Sequence, residues 1–433
     1  MRIYRYPQES DWSTILQRPA LNLAGLYSGV EDILSQVKSR GDKALYALEE
    51  RFDGVILESL SVPENEILNA SQLLSTELKR AIEDAARNIR IFHESQQFHT
   101  KRVETTPGVV CWQKAVAIES VGLYIPGGGA PLFSTVLMLA IPAKIAGCKE
   151  IVLSTPPQKD GTIHPAILYA AKVAGVNRLY KIGGAQAIAA MAYGTETIPK
   201  VSKIFGPGNP YVTAAKQIVS LRDVAIDMPA GPSEVEVIAD SSSNPHFVAA
   251  DLLSQAEHGT DSQSILLTTS EDLLESVNRE IDRQLQLLPR RDVAEKSLQH
   301  SCLILLRSNE EIIRMTNEYA PEHLIIESDN YADMADRIVN AGSVFLGSYT
   351  PESAGDYASG TNHTLPTSGY AKSYSGVNLD SFIRKITFQE ISKEGLAHLA
   401  PTIEIMASGE RLDAHRNAVT IRLENYERAK RTY

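Results

Sequence analysis

Gln255 and His258 stand three residues apart in the stretch Ser254-Gln255-Ala256-Glu257-His258-Gly259-Thr260-Asp261. Upstream, Asn244 suits a helix N-cap and Pro245 the first turn. Val248, Ala249, Leu252 and Leu253 then form an inward stripe, and Gly259 is a stop signal. The spacing predicts Gln255 and His258 on one face of the helix's last turn, able to grip one ion. Asp251 lies on the same line one turn earlier. Unpaired carbonyls at a helix C-terminus favour a cation there. The plainer alternative is a polar helix end in water.

Pro321-Glu322-His323 sets a carboxylate beside an imidazole just before a predicted strand, which fits a general-base pair. The alternative is a strand edge with both side chains solvated. Asp356 and His363 lie among small residues in 348–376, a stretch rich in Ser, Gly, Thr and Pro without helical or strand period. So long an irregular stretch inside a domain reads as a functional loop. Glu410 and His415 are five apart, roughly 140° of helical rotation, so they do not stack on a regular helix. If both serve one site, Glu410 belongs in a turn at Gly409. Without cysteine, zinc takes N and O donors, and Gln255, His258, Asp356 and His415 are the candidates. Glutamine is a poor ligand for a structural ion, so such a site would exchange ligands with a substrate. His164, His246 and His300 read as surface or hydrogen-bonded residues.

These residues need a scaffold. Residues 1–21 form a polar arm. Helical spacing runs over 29–53 and 64–97. From about 115 short strands and helices alternate: strand over 115–124, helix 133–146, strand 150–154, helix 165–174, strand 178–182, helix 184–193, strand 201–205, helix 210–219 and strand 223–226. A second series follows, with strands at 234–239, 264–269, 302–306, 323–327 and 342–346 and helices between them. Each series implies a parallel sheet covered by helices. The helices before residue 115 are expected to pack on the second. Glycines mark the strand ends of the first (127–129, 183–184, 206 and 208), where ligands bind in such sheets and helix N-termini hold phosphate. A dinucleotide fits there, although no G-x-G-x-x-G follows a strand.

The 433 residues suffice for two cores, and 43% hydrophobic with 22% charged residues are globular proportions. A net charge of −11 without a basic block argues against nucleic acid. The N-terminal MRIYRYPQESDW lacks the apolar core of a signal peptide, and the longest apolar run, 136–143, is too short to span a bilayer. The three widely spaced cysteines, Cys111, Cys148 and Cys302, make no disulfide framework and suit a reducing, cytoplasmic setting.

The chain resembles the L-histidinol dehydrogenase family nearly end to end. The resemblance is carried by GLYIPGGGAPLFSTVLM (122–138), GGAQAIAAMAYGTE (183–196), KIFGPGN (203–209), DMPAGPSE (227–234), DLLSQAEHGTDSQ (251–263), APEHL (320–324), GSVFLGSYTPESAGDYASGTNHTLPT (342–367) and ERLDAHRNAV (410–419). It implies zinc, one ion per subunit, on Gln255, His258, Asp356 and His415. It implies Glu322 and His323 as the acid–base pair. Substrate contacts are implied at Ser233, His323, His363 and Glu410 and at the zinc ligands, and NAD contacts at Tyr124, Gln186 and Asn209. Gly129 departs from the side chain that members often carry there. The implied reaction oxidises L-histidinol to L-histidine through L-histidinal, the last step of histidine biosynthesis, consuming two NAD.

The expected architecture is two Rossmann-like parallel-sheet α/β domains with an N-terminal arm and a helical C-terminal tail, in an intertwined homodimer. Residues 1–21 are the arm, and 22–123 with 235–378 the domain carrying metal and catalytic residues. Residues 124–234 bind NAD, and 379–433 complete the partner's site. Two rivals share the metal ligands: a zinc hydrolase using the same Glu322 and His323, and a non-catalytic protein whose metal is structural.

Overall fold

Apolar strands buried on both faces demand helices on both sides, and this need organises the chain. A computed structural model describes residues 1–19, 25–127, 130–176, 178–229 and 231–431, with side chains to Asn425. Gly129 therefore lies outside the described residues. The chain divides into two compact units, residues 1–96 with 118–382 and residues 97–117 with 383–433.

Strand β1 (Arg2–Arg5) opens the chain, and β2 (Val103–Thr106) and β3 (Val109–Ala117) follow the first helices. Then come β4 (Ser120–Tyr124), β5 (Glu150–Thr155), β6 (Arg178–Lys181), β7 (Lys203–Phe205) and β8 (Ala225–Ile226). They form a parallel sheet in the order β6-β5-β4-β7-β8. Next are β9 (Glu234–Ala239), β10 (Gln263–Thr268), β11 (Cys302–Leu305), β12 (His323–Glu327) and β13 (Ser343–Leu346). With β1 they build a second parallel sheet, β1-β11-β10-β9-β12-β13. Apart from β1, the two sheets repeat one strand order, third-second-first-fourth-fifth. Each reverses direction once, between β4 and β7 and between β9 and β12. Crevices open at such reversals.

The early helices differ from expectation. Tyr27–Arg40 and Thr76–Glu94 pack on opposite faces of the first sheet, not on the second. Val30, Leu34 and Val37 join Val152, Ile188 and Ile204 in one core, while Ile82, Ala85 and Ile89 join Val121, Leu139 and Leu153 in the other. Helical spacing names an inward face but not its partner. The second sheet has its own two cores, one of which takes in Trp12 and Leu16. The polar arm is thus an edge strand followed by an apolar anchor.

The predicted strand over 115–124 is two strands in different units, β3 and β4. The tail is not wholly helical. β14 (Ile383–Ile391) pairs antiparallel with β3, which pairs with β2. The helices Lys393–Gly409 and Asp413–Arg431 complete that unit. Among the described residues no helix is long and apolar enough to cross a membrane.

Candidate active site

Two cavities of the first unit hold most of the predicted site residues. One, about 740 Å³, lies where β4 ends and the helix Gly184–Tyr193 begins, and Tyr124, Gln186 and Asn209 line it with Pro126, Gly127 and Asp53. The volume suits a cofactor. Gly183 N-caps that helix without a side-chain cap, leaving backbone N–H groups for an anion, although Gly184 N–H already donates to the Tyr124 hydroxyl (3.0 Å). Gln186 is held from behind. Its Nε2 donates to buried Glu49 (2.9 Å), which also accepts the Gly183 N–H (3.2 Å). Burial pushes the Glu49 carboxyl up to about 8, against the pull of Gln186. Sequence reading missed Glu49 because it lies far upstream on an ordinary helix face.

Close backbone approach shapes the loop beyond β7. Gly206 has φ +122°, and a Cβ there would lie 2.1 Å from the Tyr124 carbonyl oxygen. A buried ion pair braces it: Lys216 Nζ donates to the Gly206 carbonyl (2.8 Å) and meets Asp227, whose Oδ2 accepts the Gly206 N–H (2.8 Å). Asn209 then N-caps Pro210–Ser220 by accepting from Val212 N–H (3.1 Å).

The second cavity, about 430 Å³, is lined by Ser233, Gln255, His258, Glu322, His323, Asp356 and His363. It also shares Pro126 and Asn209 with the first. It lies at the amino ends of β9 and β12, where the antiparallel helix Pro245–Ala256 delivers its C-terminus. Ligands of open α/β sheets usually bind at carboxyl ends, so the second sheet is used from its opposite edge.

Glu322 and His323 are buried, at 5% and 4% exposure, rather than solvated at an edge. The Glu234 backbone holds both. Its N–H donates to Glu322 Oε2 (2.8 Å), and its carbonyl accepts from His323 Nδ1 (3.1 Å). That bond fixes the proton on Nδ1 and leaves Nε2 for the cavity. Nε2 lies 3.6 Å from Asp356 Oδ1 and has no hydrogen-bond partner among the described residues. Burial pushes the Glu322 carboxyl up to about 8, against the pull of His323. Burial also opposes charging of His323, but Glu352, Glu322 and Asp356 outweigh it and hold the imidazole well above its ordinary range.

His258, Glu352 and Asp356 bring one ligand atom each within 4.8 Å of one another. Imidazole plus two carboxylates is a donor set suited to a divalent cation such as zinc. His258 keeps an exposed outer edge, yet desolvation in the cleft holds its imidazole below the ordinary value against the pull of Asp356, in the neutral form a metal needs. Burial raises Glu352 to about 8 against the pull of His323. Burial likewise opposes ionisation of Asp356, but His323 prevails and lowers it. Glu352 was missed in the sequence because 348–376 shows no helical period. The short helix Glu352–Tyr357 sets Glu352 and Asp356 four apart.

Gln255, fully buried, meets this group through Glu352. With its amide oriented to suit its neighbours it donates to both Glu352 oxygens and accepts from Glu234 N–H (3.0 Å). The helix stops at Ala256, so His258 sits in the turn beyond it, its N–H donating to the Gln255 carbonyl (3.2 Å). Asp251 instead interacts electrostatically with Glu327, and burial raises both carboxyls, to about 6 and about 8. His363 donates from Nδ1 to the Asp356 carbonyl (2.9 Å), and its Nε2 meets Thr135 Oγ1 (3.1 Å). Glu410 and His415 belong to the second unit. Glu410 caps Lys393–Gly409 in the turn before Asp413–Arg431, which carries His415.

A cavity of about 740 Å³ opening beside a buried cluster of carboxyl and imidazole groups fits the layout of an α/β dehydrogenase. The family model for histidinol dehydrogenase matches residues 16–423. The histidinol dehydrogenase of Bacteroides thetaiotaomicron is 66% identical over 98% of this chain and 99% of its own. That of Vibrio parahaemolyticus is 52% identical over 98% of each. The crystal structure of histidinol dehydrogenase from Elizabethkingia anophelis superposes with a TM-score of 0.97 at 55% identity, covering 99% of both chains. The chain belongs to the histidinol dehydrogenase family and is an oxidoreductase of histidine biosynthesis.

Proposed function

We propose that the chain catalyses the NAD-dependent, zinc-requiring, four-electron oxidation of L-histidinol to L-histidine through L-histidinal, the last step of histidine biosynthesis. One observation carries this: the cavity of Tyr124, Gln186 and Asn209 shares Pro126 and Asn209 with the cavity of Glu322 and His323. Hydride transfer needs its two reactants held side by side. Residues 124–234 carry the cofactor contacts, and 235–378 the chemistry. A zinc hydrolase would leave the first cavity without a role.

His258, Asp356 and the Glu352-linked Gln255 would hold zinc together with His415, and Ser233, His363 and Glu410 would contact substrate. A zinc ion held by these residues would supply positive charge to orient the substrate and to offset the carboxylates that raise His323. His323 Nε2 takes the alcohol proton as hydride leaves the carbinol carbon for NAD. Glu322 takes a proton from the water that attacks the aldehyde, and the hydrated aldehyde gives its hydride to a second NAD. Each oxidation releases one NADH. At full conversion two NADH per L-histidinol are expected; none would return the hydrolase reading.

Gln186→Ala is expected to weaken NADH binding about five- to tenfold, the loss of one positioned hydrogen bond. Fluorescence titration of NADH checks this. Asn209 serves as a helix cap, so its removal would confound binding with stability.

His415 and Glu410 are assigned to the site of a second copy, in a homodimer with exchanged tails. Mixing His258→Ala with His415→Ala under subunit exchange is expected to restore about half of wild-type activity per mixed dimer, since one of its two sites is intact. No recovery would count against sharing. The unpaired cysteines support a cytoplasmic setting.

A further inference from the structure

The N-terminal arm reaches the catalytic pair through one side chain. Arg18 Nε and Nη2 grip the two Glu234 carboxylate oxygens (2.6 and 2.9 Å). Nη2 also donates to the carbonyls of Tyr319 (2.7 Å) and Ala320 (3.4 Å). The guanidinium lies over the Tyr319 ring, 3.9 Å from its centroid, and the Tyr319 hydroxyl donates to Gln263 Oε1 (2.8 Å). Arg18 therefore ties together the two chain segments that create the acid–base pair. One is Glu234, whose backbone holds Glu322 and His323. The other is the turn Tyr319-Ala320-Pro321, which runs directly into them.

Both segments need a clamp. The Glu234 carboxylate is 2% exposed, and burying a carboxylate stripped of its cationic partner is costly enough to displace it. Because Glu234 begins β9, moving it moves the N–H and carbonyl that hold the pair. Ala320 sits at φ +55°, a left-handed conformation that a non-glycine residue keeps only where its surroundings enforce it. Ser368 N–H adds the loop after His363 by donating to Glu234 Oε1 (2.6 Å).

Resting on the assignment of Glu322 and His323 as the acid–base pair, we propose that Arg18 is a positioning residue for the reaction. Through Glu234 and the 319–321 turn it sets the placement of Glu322 and the tautomer of His323. It touches neither cofactor cavity nor substrate cavity. A planar fork that stacks on Tyr319 and pairs bidentately is a role lysine fills only in charge.

The test compares Arg18→Met and Arg18→Lys with wild type in the full-length protein. In Arg18→Met, kcat for L-histidinol oxidation is expected to fall at least tenfold. KM for L-histidinol and the NADH dissociation constant should stay within about twofold. Arg18→Lys should recover part of kcat. The second readout needs no turnover: histidine side-chain resonances of ¹⁵N-labelled protein, with His323 assigned through His323→Gln. The His323 Nδ1–H signal should shift or vanish in Arg18→Met and return toward its place in Arg18→Lys. An unmoved imidazole with kcat retained within twofold would overturn the proposal. So would a fall of kcat and NADH affinity in step with lost thermal stability, which marks a purely structural residue. If Arg18→Met fails to fold, Arg18→Lys decides on the same two readouts, with unchanged kcat and resonance counting against. A wild type that makes no NADH from L-histidinol would overturn the function instead, and the resonance would still report on Arg18.

Discussion

Glu322→Gln is expected to halt the reaction at the aldehyde, giving one NADH per L-histidinol instead of two. Glutamine keeps the shape of the side chain and an oxygen for the Glu234 N–H, which lies 2.8 Å from Glu322 Oε2. It cannot take a proton from water. Losing a positioned general base costs about 10²- to 10⁴-fold, and this loss should fall on the second oxidation. His323→Gln should instead depress the first by a similar factor, since its Nε2 is the nitrogen left free by the bond from Nδ1 to the Glu234 carbonyl. The pH profile carries an independent sign. Burial pushes the Glu322 carboxyl up to about 8, and only its ionised form accepts a proton. The aldehyde step of the wild type should therefore rise as pH passes upward through about 8 and level off above it. Glu322→Gln should lose that rise. Trapping the aldehyde while counting NADH separates the steps, and equal loss of both in Glu322→Gln would sink this division of labour.

The parallel sheets were legible because their strands are short apolar runs separated by helical periods and glycine turns. Glu322-His323 and Gln255-x-x-His258 were legible as candidates because each pair is close in sequence, but helical spacing misplaced His258, which lies in the turn beyond the helix end at Ala256. What the sequence hid is non-local. Nothing in the spacing of Ile82, Ala85 and Ile89 says which sheet they cover, and the structure sets them on the first sheet, not the second. Glu352 was hidden because its helix is only six residues long and set in a stretch rich in small residues. Arg18 was hidden because its partner, Glu234, lies 216 positions away. β14 was hidden because exposed alternation with charged residues resembles a solvated tail, and its register with β3 spans Ile383 to Ile391.

Chelation is expected to abolish turnover while leaving the chain folded, and added zinc to restore it. The apolar cores of both sheets are built by residues other than the candidate ligands His258, Glu352 and Asp356, so the fold is expected to survive loss of the ion. Among the described residues the carboxylates have an internal counter-charge in His323, 3.6 Å from Asp356 and 3.7 Å from Glu352. Burial also raises Glu352 to about 8, so at neutral pH it can take a proton when no cation is present. The stability lost is then only that of linked binding, about 2.7 kcal/mol if the metal stands at 100 times its dissociation constant. For a chain of this length that is roughly 3 °C in Tm. Turnover should fall by more than about 10²-fold, because the substrate loses its orientation beside His323. Activity and Tm followed together against chelator concentration separate the readings. Loss of activity with a small, reversible Tm shift fits an exchangeable ion at the reacting centre. Cooperative unfolding on chelation would mean that the ion is structural and that the cluster around His323 serves the fold.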